Sequence, residues 1–253
     1  MATPSATTVV VTAAEGSFSD LGALLHPASV RVIQHALLDF TAPDSWSAID
    51  AAIRELARYR VLVVTSPRGA RAFADRWRLQ HEVTPNEQLQ VWSSGATTAA
   101  ALAAWQGRVR TPPPELVRRL GASVAIARAI LSTAGPGDPV LYACGADRRD
   151  ELPTMLRHAG MEVTEAVCYR TVLADEATAR AALDGAQVVV VTSPNVVSLL
   201  ARSCPEQARP ALVAVGPTTA TRARSVGWEP AAIADRPDVA ALAESVRALL
   251  ATR

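Results

Sequence analysis

The feature that most constrains this chain is a pair of strand–turn–helix units that is written twice. Val61-Leu62-Val63-Val64-Thr65-Ser66-Pro67-Arg68 is followed by Gln90-Val91-Trp92-Ser93-Ser94-Gly95-Ala96-Thr97-Thr98-Ala99. Val188-Val189-Val190-Val191-Thr192-Ser193-Pro194-Asn195 is followed by Val213-Ala214-Val215-Gly216-Pro217-Thr218-Thr219-Ala220. Each unit is a short apolar run that stops at a small hydroxyl residue or glycine and passes into a helical pattern, as a buried parallel strand feeding a helix does. The repetition predicts an internal duplication with the ligand held between the copies. The fold class it predicts is α/β, with two flavodoxin-like, doubly wound parallel sheets.

In such sheets ligands bind beyond the carboxyl ends of the strands. That assigns Thr65-Ser66, Gly95 to Thr98, Cys144 to Arg149, Thr192-Ser193 and Gly216 to Thr219 to ligand-facing loops. Helix N-termini attract carboxylates and phosphates through free N–H groups and the helix dipole. For any one of these hydroxyls taken alone, a plain helix cap is the favoured explanation. Five such loops on one face favour a shared anion site.

Other chemistries lack a signal. G-x-G-x-x-G, the P-loop and H-E-x-x-H are absent, and His26, His35, His81 and His158 are scattered. Ser66 and Ser193 lack a nucleophile elbow, and Cys144, Cys168 and Cys204 form neither a C-x-x-C pair nor an even disulfide set. Conventional acid, base, metal and nucleotide chemistry therefore all lack a sequence signal. Trp77, Trp92 and Trp105 are read as packing residues. The formal net charge of +1 gives no basic field for nucleic acid, so local groups must meet any anion. With 49% hydrophobic and 19% charged residues over 253 positions, there is material for two ordinary cores. Met1-Ala2-Thr3-Pro4-Ser5 has no export pattern, no apolar run reaches membrane-spanning length, and unpaired cysteines fit a reducing compartment. The expectation is a cytoplasmic monomer with no membrane contact.

In order along the chain, strands are expected at Thr8 to Thr12 and Ser29 to Ile33. A helix follows with Trp46, Ile49, Ile53 and Leu56 on one face and Asp44 or Ser45 as its N-cap. Further helices are expected through Leu102 to Trp105 and around Ile126 and Ile130, with a strand at Val140 to Ala143. Gly160 and Gly227 are expected to cap helices in the left-handed conformation. The extended stretch Glu162 to Val172 is divided in two. The domains follow: 1–36 with 174–253, an inserted domain 43–166, and a two-stranded linker of 37–42 and 167–173 that permits hinge motion.

Leu141-Tyr142-Ala143-Cys144-Gly145, Arg149-Asp150-Glu151-Leu152-Pro153, Gly160, Val167, Tyr169 and Thr171 resemble uroporphyrinogen-III synthase, as do Thr192-Ser193-Pro194 and Ala214-Val215-Gly216-Pro217-Thr218-Thr219-Ala220. Thr65-Ser66-Pro67-Arg68-Gly69-Ala70 and Gly95-Ala96-Thr97-Thr98-Ala99 match the family's first copies; order and spacing carry the resemblance from about Val61 to the C-terminus. The family closes the linear tetrapyrrole hydroxymethylbilane to uroporphyrinogen III, losing water and inverting ring D through a spiro intermediate, without metal or cofactor. The resemblance implies Tyr169 as the proton donor to the leaving hydroxyl. It implies Ser66, Arg68, Thr98, Gly145, Arg148, Arg149, Ser193, Gly216, Thr218 and Thr219 as binders of the substrate's eight carboxylates. It also implies transient contact with hydroxymethylbilane synthase. Two positions depart from the pattern: Ala13 stands where arginine is frequent, and Ser93-Ser94 where an apolar pair is usual. A non-catalytic sensor of a small anion is the competing reading, ahead of a sugar-nucleotide transferase.

Overall fold

The computed structural model describes residues 6–14, 16–25, 30–80, 84–102, 105, 108–236 and 238–252. The expectations on Met1 to Ser5, His26, Ser29, His81, Ala103 and Ala104 lie outside these residues. The chain begins with β1 (Thr7–Val11), α1 (Leu21–Leu25), β2 (Val30–Gln34), β3 (Leu38–Thr41), α2 (Ser47–Arg54), β4 (Val61–Val64) and α3 (Pro67–Arg78). It continues through β5 (Gln90–Ser93), α4 (Ala96–Ala101), β6 (Val109–Arg110), α5 (Pro114–Leu120), α6 (Ala122–Leu131), β7 (Pro139–Gly145), α7 (Glu151–His158) and β8 (Glu162–Leu173). It ends with α8 (Glu176–Ala182), β9 (Val188–Val191), α9 (Pro194–Ser203), β10 (Ala211–Ala214), α10 (Pro217–Ser225), β11 (Ala232–Ile233) and α11 (Val239–Ala251).

The chain forms two compact units, 1–39 with 172–253 and 40–171. The first has a five-stranded parallel sheet in the order β11-β10-β9-β1-β2. Counted from its own first strand this is the flavodoxin order, which reverses between β1 and β9. Val9, Val11, Val188, Val190 and Val213 face α1 and α11 in one apolar cluster with Leu21, Leu242 and Val246, while Val10, Val189, Val191 and Leu212 are equally buried. Burial on both faces is why these strands are near-continuous valine runs.

The second unit has the order β3-β8-β7-β4-β5-β6, and the β4–β5, β4–β7, β5–β6 and β7–β8 pairs are parallel. Counted from β4, the strands β6-β5-β4-β7-β8 run 3-2-1-4-5, a doubly wound order that differs from the first unit's and reverses between β4 and β7, with β3 added at the β8 edge. Leu62 and Val64 join Ile49, Ile53 and Phe73 on one side of the sheet, and Val61 and Val63 join Ile126, Ile130 and Leu156 on the other.

Four local expectations are corrected. Trp46, with αR backbone, is the N-cap of α2 and makes no side-chain cap bond; the Ser45 hydroxyl instead accepts from the Ser47 N–H at 3.1 Å, and Asp44 pairs with Arg170. Helix α4 stops at Ala101, since Leu102 leaves helical geometry and the Trp105 N–H closes a tighter turn on its carbonyl. Cys144 and Gly145 belong to β7 and not to a loop, because they still pair with β8 opposite Val167 and Tyr169. Glu162 to Leu173 is one strand; what divides it is a bulge that skips Cys168 in the register. Gly160 and Gly227 take φ of +81° and +70° after their helices, as the sequence predicts.

Candidate functional site

In the second unit, four elements converge at the point where the strand order reverses. Strand β4 ends in Thr65-Ser66. The Ser66 hydroxyl accepts from the Gly69 N–H at 3.0 Å, and Pro67 takes the first position of α3, where no amide donor is needed. A Cβ at Gly69 would crowd the capping Ser66 Oγ at 3.1 Å, while the Ala143 carbonyl of β7, at 3.6 Å, is at ordinary contact distance. Strand β5 ends in Ser93-Ser94, and both hydroxyls work internally. Ser93 Oγ, fully buried, donates to the Gly95 carbonyl at 3.2 Å. Ser94 Oγ donates to the Thr65 carbonyl at 2.8 Å and lies 3.2 Å from the buried Thr98 hydroxyl. The unusual serine pair therefore ties the two turns together.

Tyr142, on β7, presents its phenol 3.1 Å from the Thr65 hydroxyl. Burial pushes its pKa up to about 12, so the phenol is protonated and serves as a fixed neutral dipole. The same strand ends at Gly145, directly beneath the ring of Tyr169. A Cβ on Gly145 would lie 2.6 Å from Tyr169 Cζ and 2.8 Å from its oxygen, so only glycine admits the phenol in this position. Phe40 packs edge-on against Tyr169 at 5.9 Å, and the exposed Arg68 guanidinium lies 3.6 Å above the Phe40 ring. These groups border a cavity of about 380 Å³ with Trp46 and Arg71.

The two neighbouring arginines separate. Arg148 is bound to Glu165 and lies 3.2 Å from Asp150, and Glu165 also accepts from Arg157 at 2.7 Å. Burial alone would raise the Glu165 carboxyl, but the two guanidinium hydrogen bonds outweigh it and hold the pKa below the ordinary carboxylate value. Arg149 is exposed. Burial also pushes the Cys144 and Cys168 thiols up to about 12, which leaves them protonated and poor nucleophiles.

In the first unit, the strand order reverses beside Thr12 and Thr192. The buried Thr12 hydroxyl donates to the Val190 carbonyl at 3.0 Å, and Ala13 packs into the core, where a longer side chain would need space that is already filled. Ser193 caps α9 by accepting from the Asn195 N–H at 3.3 Å. Gly216 precedes α10, with Thr218 exposed and Thr219 buried. Gly95 and Gly216 are fully extended, with φ of 171° and 174°, and a Cβ at either would meet nothing within 4 Å. Neither backbone strain nor packing calls for glycine there.

The structure thus gathers Ser66, Thr98, Gly145, Tyr169 and Arg68 in one unit and Ser193, Gly216, Thr218 and Thr219 in the other. Sequence reasoning missed Tyr142 and Phe40. Tyr142 had a usable signal, a single polar-tipped residue in a buried parallel strand; Phe40 had none beyond its extended stretch.

Fold and turns together define a two-unit, doubly wound α/β protein whose strand ends carry helix N-termini and small hydroxyls suited to anionic groups. The family model described as uroporphyrinogen-III synthase HemD matches residues 19–244, and the chain belongs to that family. A curated relative, the uroporphyrinogen-III synthase of Synechococcus elongatus, is 30% identical over 110 residues, which is 44% of this chain and 42% of that protein's length. Among solved structures, a mutant uroporphyrinogen III synthase from the extreme thermophile Thermus thermophilus matches with a TM-score of 0.70 at 16% identity, over 98% of this chain and all of that one. The synthetase from Helicobacter pylori 26695 matches with a TM-score of 0.62 at 15% identity, over the same shares. At these identities the structural matches speak for the fold.

Proposed function

We propose that this protein is a working uroporphyrinogen-III synthase that closes hydroxymethylbilane with inversion of ring D. The observation that carries the reading is the Tyr169 ring seated over Gly145, at the carboxyl ends of the strands where α/β sheets bind ligands. The phenol donates its proton to the departing hydroxyl, the C–O bond breaks and water leaves. The resulting cation is attacked by the substituted carbon of ring D, giving the spiro intermediate. Rearrangement and loss of a ring proton restore the pyrrole, and that proton reprotonates the phenolate. General acid assistance of this kind contributes about 10² to 10⁴ in rate; the rest is positioning.

Binding of the carboxylates is assigned to the N-termini of α3, α4, α9 and α10 with Ser66, Thr98, Ser193, Gly216, Thr218 and Thr219. Arg68 and Arg149 add exposed charge, while Arg148 acts indirectly by fixing Glu165 on the strand that carries Tyr169. The reaction is placed in the cytoplasm, in a monomer that receives the bilane by transient contact with hydroxymethylbilane synthase. Among the described residues no helix is long and apolar enough to cross a membrane, and the exposed large apolar side chains Leu24, Leu79, Val172 and Ile233 sit on separate elements.

The test is to supply freshly made hydroxymethylbilane, oxidise the product and resolve the isomers. Isomer III, formed faster than spontaneous closure, is expected. Isomer I alone at the spontaneous rate would reduce the protein to a ligand-binding relative of the synthases.

A further inference from the structure

The second unit carries a basic recess at the amino ends of its strands, the end opposite Ser66, Thr98 and Tyr169. Arg60 immediately precedes β4, Gln88 and Leu89 precede β5, and Arg108 precedes β6, which itself contains Arg110. These residues, with Glu87 and Gln90, line a cavity of about 520 Å³, within the range of small-molecule sites.

What sets the recess apart is that three arginines gather in one cavity with their charge largely uncancelled. Elsewhere Arg58, Arg76, Arg78 and Arg148 are neutralised by carboxylates, while Arg180, Arg209 and Arg222 are held by neutral oxygens but do not gather in one cavity. Here Arg60 donates to the Gln88 side-chain oxygen at 2.7 Å and to the Gln88 carbonyl at 3.3 Å, and Arg110 donates to Gln90 Oε1 at 3.3 Å. Amide oxygens orient a guanidinium without cancelling its charge. Gln90 is itself anchored. Only 8% exposed, it donates to the Thr133 carbonyl at 3.2 Å and accepts from the Thr133 hydroxyl at 2.7 Å and Trp92 Nε1 at 3.2 Å. Trp92 also lies under the Arg110 guanidinium, 5.8 Å from ring centroid to charge. Among the described lining residues Glu87 is the one carboxylate facing three arginines, and the Arg108 side chain has no ion pair.

We infer that this recess binds a small polyanion with at least two phosphate or carboxylate groups, separately from the substrate. Guanidinium forks match both groups through paired hydrogen bonds, and fixing two of them in advance lowers the cost of ordering them on binding. Because strands β4 and β5 run from this recess to the substrate-side turns, occupancy stabilises the unit without covering Tyr169.

Calorimetric titration of the full chain with inorganic pyrophosphate and, separately, tricarballylate tests this. Saturable binding of one probe molecule per chain is expected. Its affinity should fall at least tenfold in the double variant Arg108→Gln, Arg110→Gln and hold in Arg118→Gln, Arg119→Gln, which removes equal charge from α5. Arg108→Gln alone, whose side chain makes no hydrogen bond or ion pair among the described residues, should weaken binding severalfold with an unchanged melting temperature. Binding of pyrophosphate only assigns the ligand to phosphates, and binding of both probes assigns it to polyanions generally. No saturable binding of either probe, or equal weakening in both double variants, overturns the proposal.

Discussion

The same strand–turn–helix pair is built differently in the two units. In the second, the turns after β4 and β5 are cross-braced: Ser94 bonds the Thr65 carbonyl, Thr65 meets the Tyr142 phenol, and Ser66 caps α3 at 3.0 Å. In the first, the corresponding turns are joined through the backbone, by the Val215 N–H to the Val191 carbonyl at 3.0 Å, and the Ser193 cap is longer, at 3.3 Å. Gly145 and Gly216 sharpen the contrast. One is glycine because a tyrosine ring occupies the space a Cβ would need, and the other has open space where its Cβ would be. Duplication supplied two sets of anion-friendly helix ends, and only the braced set also holds a phenol in a defined place. The proposed proton transfer therefore rests on the second unit alone, which holds Tyr169 over Gly145.

The largest effect should come from breaking that contrast at the two glycines. Gly145→Ala forces Tyr169 off its seat and should lower turnover about a hundredfold, the cost of an ångström-scale misplacement. Because the atoms displaced are the outer end of one partly exposed side chain, stability should change little beside turnover. Gly216→Ala should leave the melting temperature unchanged and alter KM alone. Equal effects at the two positions would erase the distinction between the units.

Next in size is Glu165→Gln, which releases Arg148 and Arg157 and should cost about 2 kcal/mol in urea unfolding, as loss of hydrogen bonds to a charged group does. The native protein has a matching pH dependence. The Glu165 carboxyl titrates lower in the folded state than in the unfolded chain, so its contribution is complete above the ordinary carboxylate range and is lost as pH falls through the lowered value. The variant should show a flatter decline in stability through that acid window, and an unchanged decline would remove Glu165 from the account.

The smaller effects concern the hydroxyls. Ser94→Ala should cost about 1 kcal/mol by leaving the Thr65 carbonyl without its donor, measured as a shift of the denaturant midpoint. Ser66→Ala should cost about 1 kcal/mol as a lost cap, and Ser193→Ala less, given its longer bond. The reverse order would mean that the first unit is the better braced.

The repeated units were legible in the sequence because their signals are local. A Ser-Pro after a valine run specifies cap and first helical residue together, and Gly160 and Gly227 announce left-handed stops. Where the reading failed, the deciding interaction joins distant residues. Cys144 and Gly145 looked like a loop because glycine, alanine and aspartate follow one another, yet pairing with β8 extends the strand through both. The pairing of Arg148, in the loop after β7, with Glu165 on β8 was likewise invisible in the sequence. The serine pair at 93–94 looked like a loss of site character, whereas it supplies the brace that distinguishes the second unit. Candidate site residues could be named from pattern, but their separation into a braced set with a phenol and an open set without one needed the fold.

The most direct test of this division is the turnover of Tyr169→Phe with hydroxymethylbilane, measured beside Thr218→Val under saturating substrate. Loss of at least a hundredfold in kcat with little change in KM is predicted for Tyr169→Phe, and a raised KM with kcat retained for Thr218→Val. Full turnover in Tyr169→Phe, with isomer III still formed, would contradict the claim that the chemistry resides in the second unit's phenol.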